Sequence, residues 1–193
     1  MRTEVITRNL YTFAELSDDA QQRALETLWD LNVDYAWYEI TYETIQTAGQ
    51  CMGIDCTVEG FVLDRGQSID LRGRYTYRKA WRAALAHEFG GDTLAELVKV
   101  GEELQAAQRP AFYTASADLR RPYYGRDGTG YDVTVDRAFS ANAANDLTDA
   151  LRSFERWAWR LLRDEYEYLT SAEVVKEMIE ANKYEFDENG NPA

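Results

Sequence analysis

The residue types most often used for metal binding and nucleophilic catalysis are scarce in this sequence, which has one histidine and two cysteines. His87 and the adjacent Glu88 match half of a helical zinc motif, but the chain contains no second histidine to complete it. Cys51 and Cys56 add two thiols, whereas a structural zinc site needs about four ligands. We therefore predict no metal and no cofactor, a histidine on a helix surface and two free thiols.

Two other patterns could indicate catalysis, and each has a plainer explanation. Residues 125–130 are rich in glycine, but a predicted strand follows them, whereas a phosphate-binding loop leads into a helix. Adjacent carboxylates such as Asp18–Asp19 and Glu102–Glu103 are expected in a chain with 34 acids, and adjacency does not make them converge in space. No catalytic set emerges, so we predict a binding protein and not an enzyme.

Four arginines share one face of a predicted helix, because they are spaced four, four and three positions apart. They are Arg152, Arg156, Arg160 and Arg163. This ridge could bind the phosphates of a nucleotide. It could also form internal ion pairs, since residues 164–193 hold 9 acids and 2 bases, and we favour this second interpretation.

The charge of the chain is large and unevenly distributed, with a formal net value of −13. Residues 1–60 carry −8, residues 61–163 carry +2 and residues 164–193 carry −7. Acidic termini repel nucleic acid and attract basic partners, although acidic charge can also serve solubility alone. The acids of the first two and last two predicted helices are the candidate partner-binding residues: Asp18, Asp19, Asp30, Asp34, Glu39, Glu43, Asp164, Glu165, Glu167, Glu173, Glu177 and Glu180.

Aromatic residues supply a second candidate surface, since the chain has 13 tyrosines and 5 tryptophans. Tyr, Trp and Arg are the residue types that most often anchor protein interfaces. Tyr123 and Tyr124 stand beside arginines in the second predicted hairpin, so we interpret them as an exposed anchor cluster. Trp37 and Trp157 are predicted to lie in the core.

Hydrophobic periodicity and turn residues predict the order of the helices and strands. Ser17 and Asp34 are typical helix N-caps, and Gly53 is typical of a helix end. The predicted elements are a strand at 3–13, a helix from Ser17 to about 31, a helix from Asp34 to Gly53, strands at 54–63 and 67–77, helices at 79–88 and 92–108, strands at 111–120 and 130–138, helices at 143–168 and 171–182, and a short strand at 184–187. The helix at 143–168 should bury Leu147, Leu151, Phe154, Ala158 and Leu161.

Two hairpins joined by helices predict an α+β fold, with a mainly antiparallel sheet of four to six strands and about six helices packed on it. The length of 193 residues and the apolar fraction of 45% favour one domain at 1–188, followed by a loose tail at 189–193. No window approaches the roughly 18 apolar residues of a membrane span, and the N-terminus lacks an apolar signal core. We therefore expect a cytoplasmic protein.

Several short segments together resemble a family of small phage- and prophage-encoded proteins of uncertain role, sometimes labelled antitoxins. The segments are Leu-Ser-Asp-Asp-Ala at 16–20, Asp-Tyr-Ala-Trp-Tyr-Glu at 34–39, Gly-Phe at 60–61, Leu-Arg-Gly-Arg-Tyr-Thr-Tyr at 71–77 and Ala-Asn-Lys-Tyr-Glu-Phe at 181–186. Family members tend to carry Gln-Gly-Asp-Gly-Ala after the Gly-Phe pair, where this chain has a different stretch at 63–70. The resemblance implies no catalytic residues.

The phage origin that this resemblance implies favours an anti-defence factor, and many such factors present carboxylates in place of DNA phosphates. A DNA-binding channel lined with Lys and Arg attracts a fixed acidic surface as it attracts DNA. We predict an anti-CRISPR-like inhibitor that binds a host defence complex through its acids, in the host cytoplasm and without direct contact with nucleic acid or membrane. Two alternatives stay open, an antitoxin-like partner that uses Tyr123 and Tyr124 and a nucleotide sponge that uses the arginine ridge.

Overall fold

Six helices and six strands form the part of the chain that the computed structural model describes, which is residues 9–64, 68–120, 130–134 and 141–193. The strands form two antiparallel sheets, which confirms the predicted α+β class. The elements in chain order are β1 (Tyr11–Thr12), α1 (Asp18–Thr27), α2 (Glu39–Met52), β2 (Ile54–Val62), β3 (Ser68–Thr76), α3 (Trp81–Glu88), α4 (Gly91–Gln108), β4 (Ser116–Arg120), β5 (Gly130–Thr134), α5 (Ala141–Leu169), α6 (Ala172–Ala181) and β6 (Glu185–Phe186).

The chain divides into two compact units. Unit 1 comprises Met1–Trp37 and Asp164–Ala193, and unit 2 comprises Tyr38–Arg163. The division falls within α5, whose last residues belong to unit 1. Among the described residues, no helix combines the length and the apolar character that crossing a membrane requires.

Unit 2 contains a four-stranded antiparallel sheet in the order β2-β3-β4-β5. Leu71 and Leu119 are buried on one face, as the alternation of side chains along a strand requires. On the opposite face, Asp55, Arg74 and Asp118 are direct neighbours in register across three strands. Arg74 Nη1 lies 3.1 Å from Asp118 Oδ1, so this face is a solvated surface with paired charges.

Helix α2 ends where the sequence predicts, at Gly53. This glycine has φ 89°, and a Cβ atom there would lie 2.1 Å from the Thr76 carbonyl oxygen, so only glycine fits without a shift. The predicted start at Asp34 is wrong, because α2 begins at Glu39 and residues 34–38 are not helical. Helix α1 likewise ends at Thr27 and not near residue 31, since an irregular loop follows it.

Most of the predicted core face of α5 is confirmed, and one position is corrected. Leu147, Leu151, Phe154 and Ala158 are buried. Leu161 is only half-buried, and the adjacent Leu162 is fully buried in its place. Both residues lie near the apolar stripe, because 3.6 residues per turn puts its centre between them. Trp157 is buried as predicted, whereas Trp37 is only half-buried.

Two predicted strands are shorter in the structure. A short 3-10 helix at Phe13–Glu15 ends β1, since the Thr12 backbone N–H and hydroxyl both donate to Glu15 Oε2 over 2.8 Å. Strand β4 begins at Ser116 and not at 111, because a 3-10 helix and a turn precede it. The predicted strand residues 3–8 and 135–138, the turn at 65–66, and Tyr123 and Tyr124 lie outside the described residues.

Unit 1 is built on α1, α6 and the two-stranded sheet of β1 and β6. Ser17 caps α1 as predicted, and Ser171 caps α6 by accepting from the Val174 backbone N–H. The two buried rings of the core, Phe13 and Phe186, meet edge to face with centroids 6.3 Å apart. The core of this unit consists of Phe13, Leu16, Ala20, Ala24, Val175, Ile179 and Phe186.

The segment 189–193, expected to be loose, is hydrogen-bonded to the rest of unit 1. Asp187 Oδ1 accepts from the backbone N–H groups of Asn189 and Asn191 over 2.9 and 3.0 Å. The Asn191 side chain donates to Asp187 Oδ2 over 2.9 Å, and these bonds hold the Asp187 pKa below its ordinary value. Gly190 is buried at φ 87°, where a Cβ atom would lie 2.1 Å from the Ala20 carbonyl oxygen.

Candidate functional site

The acidic charge of the chain is concentrated in unit 1. Its residue ranges hold 16 acids and 5 bases, a net charge of −11, although unit 1 is only about a third of the chain. Unit 2 holds 18 acids and 16 bases, a net charge of −2. Such an excess of one sign attracts a partner of the opposite sign over about 8 Å, the Debye length at physiological ionic strength.

Helix α1 directs its acids outward because its apolar positions face the core of unit 1. Ala20 and Ala24 are buried, whereas Asp18 and Asp19 are exposed in the first turn, where the helix dipole favours anions. Arg23 Nε donates to the Asp19 carbonyl oxygen over 3.2 Å and leaves the carboxylate exposed. The first turn of α1 therefore presents two adjacent carboxylates to solvent.

Helix α6 presents a second acidic face. Glu173, Glu177 and Glu180 are spaced four and three positions apart and are all exposed, opposite the buried core positions of the helix. Lys176 lies among them, with its Nζ 4.0 Å from Glu180 Oε1. One lysine does not neutralise three glutamates, so this face keeps a net negative charge.

The loop at 28–37 is held in place by one buried amide. Asn32 is 2% exposed, and its Nδ2 donates over 3.0 Å to the carbonyl oxygen of Leu169, which is 137 positions away in the chain. This bond satisfies a buried polar group and fixes the loop beside the end of α5. Trp37 adds a ring contact with Tyr166, with centroids 5.7 Å apart.

This loop and the end of α5 form what we call the acidic aromatic surface: Trp29, Asp30, Asp34, Tyr35 and Tyr168. Trp29 is 47% exposed, and Tyr35 and Tyr168 are each 60% exposed. Asp30 and Asp34 are exposed on the same loop. Large rings beside carboxylates are the composition of an anchor for a protein partner with basic groups.

Ten of the twelve acids predicted to bind a partner lie in unit 1, where α1, α6 and the acidic aromatic surface display seven of them. Asp164 and Glu167 are exposed near the end of α5, and Glu165 is half-buried. Glu39 and Glu43 are exposed on α2 and belong to unit 2. The sequence analysis did not identify the three exposed rings. One pattern could have indicated two of them, because Trp29 and Tyr35 flank Asp30 and Asp34 and are not spaced as residues on one buried helix face.

The arginine ridge has acidic partners within unit 2. Arg152 Nη1 lies 3.5 Å from Asp149 Oδ1 in its own helix, and Arg160 Nη2 lies 3.1 Å from Glu96 Oε2 of α4. Both acids precede residue 164, so these two pairs do not use the acidic segment that we favoured. Arg156 donates to the Ser153 hydroxyl, and Arg163 lies over the Trp159 ring at 5.4 Å.

Neither the histidine nor the cysteines belong to a metal-binding cluster in the described part of the chain. His87 is exposed at the end of α3, with its Nδ1 2.8 Å from Glu88 Oε1. Cys51 and Cys56 are buried free thiols in unit 2. Burial raises the pKa of Cys51 and raises the pKa of Cys56 to about 12, with a smaller contribution from the negative charge of Asp55.

Comparison with known proteins gives one match, to a family model described as "Domain of unknown function (DUF8835)", over residues 37–172. The chain belongs to the DUF8835 family. No curated protein and no solved structure matches it. The DUF8835 match covers unit 2 throughout and ends at the start of α6.

Most of the acidic excess lies outside the DUF8835 match. The unmatched residues, 1–36 and 173–193, hold 13 acids and 5 bases. Trp29, Asp30, Asp34 and Tyr35 are among them, whereas Tyr168 lies inside the match. The acidic aromatic surface is therefore mainly a feature of residues that this chain has beyond the DUF8835 region.

Proposed function

We propose that this chain is an inhibitor that binds another protein, and that unit 1 occupies the basic, nucleic-acid-binding surface of that partner. The observation that carries the proposal is the net charge of −11 in unit 1, against −2 in the larger unit 2. If acidity served solubility alone, we would expect it to be spread over both units in proportion to their size.

The carboxylates of unit 1 act as substitutes for the phosphates of DNA. A surface that binds DNA through Lys and Arg gains the same attraction from carboxylates, and its affinity falls with salt in the same way. In unit 1 the carboxylates are already fixed on α1 and α6, and the loop at 28–37 is tied down by Asn32. Binding therefore avoids part of the ordering cost that a flexible acidic segment would incur.

The exposed rings supply binding free energy that charge alone does not provide. Rim charges mainly raise the association rate and set specificity, whereas buried aromatic anchors carry most of the binding free energy at an interface. In the proposed complex, the exposed Trp29, Tyr35 and Tyr168 enter pockets on the partner, and Asp30 and Asp34 are exposed on the same loop as the first two. The complex should accordingly form quickly at low salt and keep some affinity at high salt.

In its finer form, the proposal names a host defence complex as the partner, with a CRISPR surveillance complex first among the candidates. This part rests on the resemblance to phage-encoded proteins and on the positive channels through which such complexes bind nucleic acid. A purified surveillance complex should lose target-DNA binding when the chain is added, in proportion to occupancy.

The test is a capture experiment with the tagged full chain in a bacterial lysate, followed by competition with DNA. We expect a captured protein that binds DNA on its own and that DNA releases from the chain. The variant Asp30→Lys/Asp34→Lys/Glu173→Lys/Glu177→Lys should weaken this complex by a hundredfold or more, since reversal of close charges costs several kcal/mol.

The control reverses two exposed acids of unit 2, Glu103→Lys and Asp146→Lys, and the unit 1 double variant Glu173→Lys/Glu177→Lys matches its change of charge. The control should leave the affinity for the partner within about threefold, which is the size of effects at non-interface surface positions. Equal losses of affinity in both variants would show that binding depends on the net charge of the chain and not on the acids of unit 1. A partner that ignores DNA, or that binds the unit 1 variant as tightly as the parent chain, would refute the proposal.

A further inference from the structure

One edge of unit 2 has the opposite charge from unit 1. Residues 71–87 contain five bases and no acid, and residues 104–117 contain one base and no acid. The rings of Tyr77 and Tyr113, one from each stretch, are in contact with centroids 4.6 Å apart. We call residues 77–82 and 109–114 the aromatic–basic edge.

The backbone of this edge adopts conformations that residues other than glycine rarely adopt. Ala80, Phe112 and Tyr113 have φ values of 61°, 50° and 62°. They are three of the four non-glycine residues with positive φ in the described part of the chain. For a bulky aromatic residue this region is a genuine outlier, and such strain is concentrated at functional sites.

A buried glutamine holds the strained turn in place. Gln108 is fully buried, its Nε2 donates to the Ala115 carbonyl oxygen over 2.8 Å, and its Oε1 accepts from the Ala115 N–H over 3.2 Å. Its backbone carbonyl oxygen also accepts from the Tyr113 N–H over 3.0 Å. The two aromatic residues between these anchors are therefore fixed before any ligand arrives.

The turn exposes rings and cations together. Phe112 is 73% exposed and Tyr113 is 40% exposed. Lys79 and Arg109 are exposed, and no described residue forms an ion pair with either. Arg82, by contrast, pairs with Glu102. Lys79 and Arg109 therefore form no ion pair with the acids of unit 2 that the structure describes.

We infer that the aromatic–basic edge binds single-stranded nucleic acid, with bases stacked on Phe112 and Tyr113 and phosphates contacting Lys79 and Arg109. Fixed aromatic faces beside cations are how proteins bind single strands without reading sequence. Duplex bases are already stacked and cannot use these rings. The whole-chain charge argues against any nucleic acid, but charges more than about 8 Å away are largely screened at physiological ionic strength.

The shape of the edge favours a chain lying on its surface over an enclosed small molecule. The neighbouring hollow, which Tyr77, Arg78 and Trp81 help to line, offers about 0 Å³ of space to a water-sized sphere. Pockets that enclose drug-sized ligands measure roughly 300–1,000 Å³. This inference goes beyond the proposed function, because it concerns unit 2 and a different class of ligand.

The experiment measures the fluorescence anisotropy of labelled oligothymidylate and oligouridylate with the full chain at about 150 mM salt and above, where acids more than about 8 Å away are largely screened. A duplex of the same length is the comparison. We expect both single strands to bind, the duplex to bind at least tenfold more weakly, and log affinity to fall with log salt at a slope of about −1.4, from two phosphate contacts at about −0.7 each.

Variants separate stacking from charge. Phe112→Ala/Tyr113→Ala should lower the affinity by about tenfold or more, since each stacked base contributes about 1–3 kcal/mol, whereas Phe112→Trp keeps a stacking ring and should retain binding. Lys79→Glu/Arg109→Glu should abolish binding, and Arg156→Glu on α5 should leave it nearly unchanged.

Three results would overturn the inference: no binding of either single strand to the parent chain, equal affinity for the duplex, or unchanged affinity in Phe112→Ala/Tyr113→Ala. Displacement of the single strand by polyglutamate at equal charge concentration would also overturn it, because the edge would then bind any polyanion. None of these results bears on the partner of unit 1, since no partner protein is present.

Discussion

The acidic aromatic surface of unit 1 and the aromatic–basic edge of unit 2 are built alike and carry opposite charges. Each displays large rings on a loop that a buried amide side chain fixes, Asn32 in unit 1 and Gln108 in unit 2. The first loop carries Asp30 and Asp34, and cations lie beside the rings of the second. The net charge of −13 therefore combines two surfaces with opposite preferences, and partners must be predicted for each surface separately.

The two surfaces also differ in their relation to the DUF8835 region. The matched residues, 37–172, include Gln108 and exclude Asn32. The aromatic–basic edge thus lies wholly in the region that defines the family, and the acidic aromatic surface lies mostly outside it. Other DUF8835 members can be tested for single-strand binding without requiring that they share the acidic unit.

The largest expected effect concerns the thiols, both of which lie in unit 2 and none in unit 1. Because burial raises the pKa of Cys56 to about 12, its thiolate fraction near pH 8 should be about a thousandfold below that of an ordinary cysteine. We expect slow reaction of both thiols with a disulfide reagent in the native protein and fast reaction in denaturant. Rapid modification of either native thiol would show that the core of unit 2 opens readily.

A substitution at Gly190 should damage unit 1 selectively. Gly190→Ala places a Cβ atom 2.1 Å from the Ala20 carbonyl oxygen at a positive φ, which should cost about 3 kcal/mol of stability. Thermal unfolding measures the loss, and the thiols of unit 2 should stay protected. Gly60→Ala is the control, because a Cβ atom there meets no atom within 4 Å. Wild-type stability in Gly190→Ala would contradict the packing of the 189–193 segment.

The two buried amides give a matched pair of variants. Asn32→Ala and Gln108→Ala should each lower the free energy of unfolding by about 1–3 kcal/mol. Gln108→Ala leaves the buried Ala115 backbone groups without their side-chain partner, and Asn32→Ala removes the side-chain donor to the Leu169 carbonyl oxygen. Asn32→Ala should weaken partner capture and spare oligonucleotide binding, and Gln108→Ala should do the reverse. If either variant lowered both affinities equally, the two surfaces would not be independent sites.

The smallest effect is a pH dependence confined to unit 1. The Asp187 pKa is lowered in the folded chain, first by the Asn191 side chain, so its contribution to stability is complete above the ordinary value near 4 and is lost as pH falls through the lower folded value. Asp187→Asn should flatten the melting temperature between pH 5 and about pH 3. An unchanged acid slope in this variant would show that the hydrogen bonds to Asp187 contribute nothing.

The sequence predicted those features that local chemistry determines. Ser17 caps a helix and Gly53 ends one, because a hydroxyl and a missing Cβ act within a few residues. Asp34 has the right chemistry for a cap, but a hydrogen bond from Asn32 across 137 positions fixes its loop, and no local pattern encodes that bond. The left-handed Phe112 and Tyr113 were also beyond prediction, since aromatic residues favour strands and a buried glutamine imposes the turn.

The candidate sites likewise could be predicted where local sequence determines them and could not be predicted where long-range contacts do. Composition was enough to locate the acidic excess at residues 1–60 and 164–193, and unit 1 contains residues 1–37 and 164–193 of these two ends. It could not reveal that Trp29 and Tyr35 are exposed, because exposure depends on how the loop is held. Composition also gave no indication of the aromatic–basic edge, because its two segments are some thirty positions apart in the sequence. The contact of Tyr77 with Tyr113 joins them in the folded chain.

The central claim is that the charge of unit 1 carries partner binding, and it is tested most directly by measuring the affinity of the captured partner for three chains across a range of salt. The chains are the parent, Asp30→Lys/Asp34→Lys/Glu173→Lys/Glu177→Lys, and Glu103→Lys/Asp146→Lys. We predict a steep fall of affinity with salt for the parent and the unit 2 variant, and weak binding with a shallow slope for the unit 1 variant. Three parallel salt curves of equal affinity would contradict the claim.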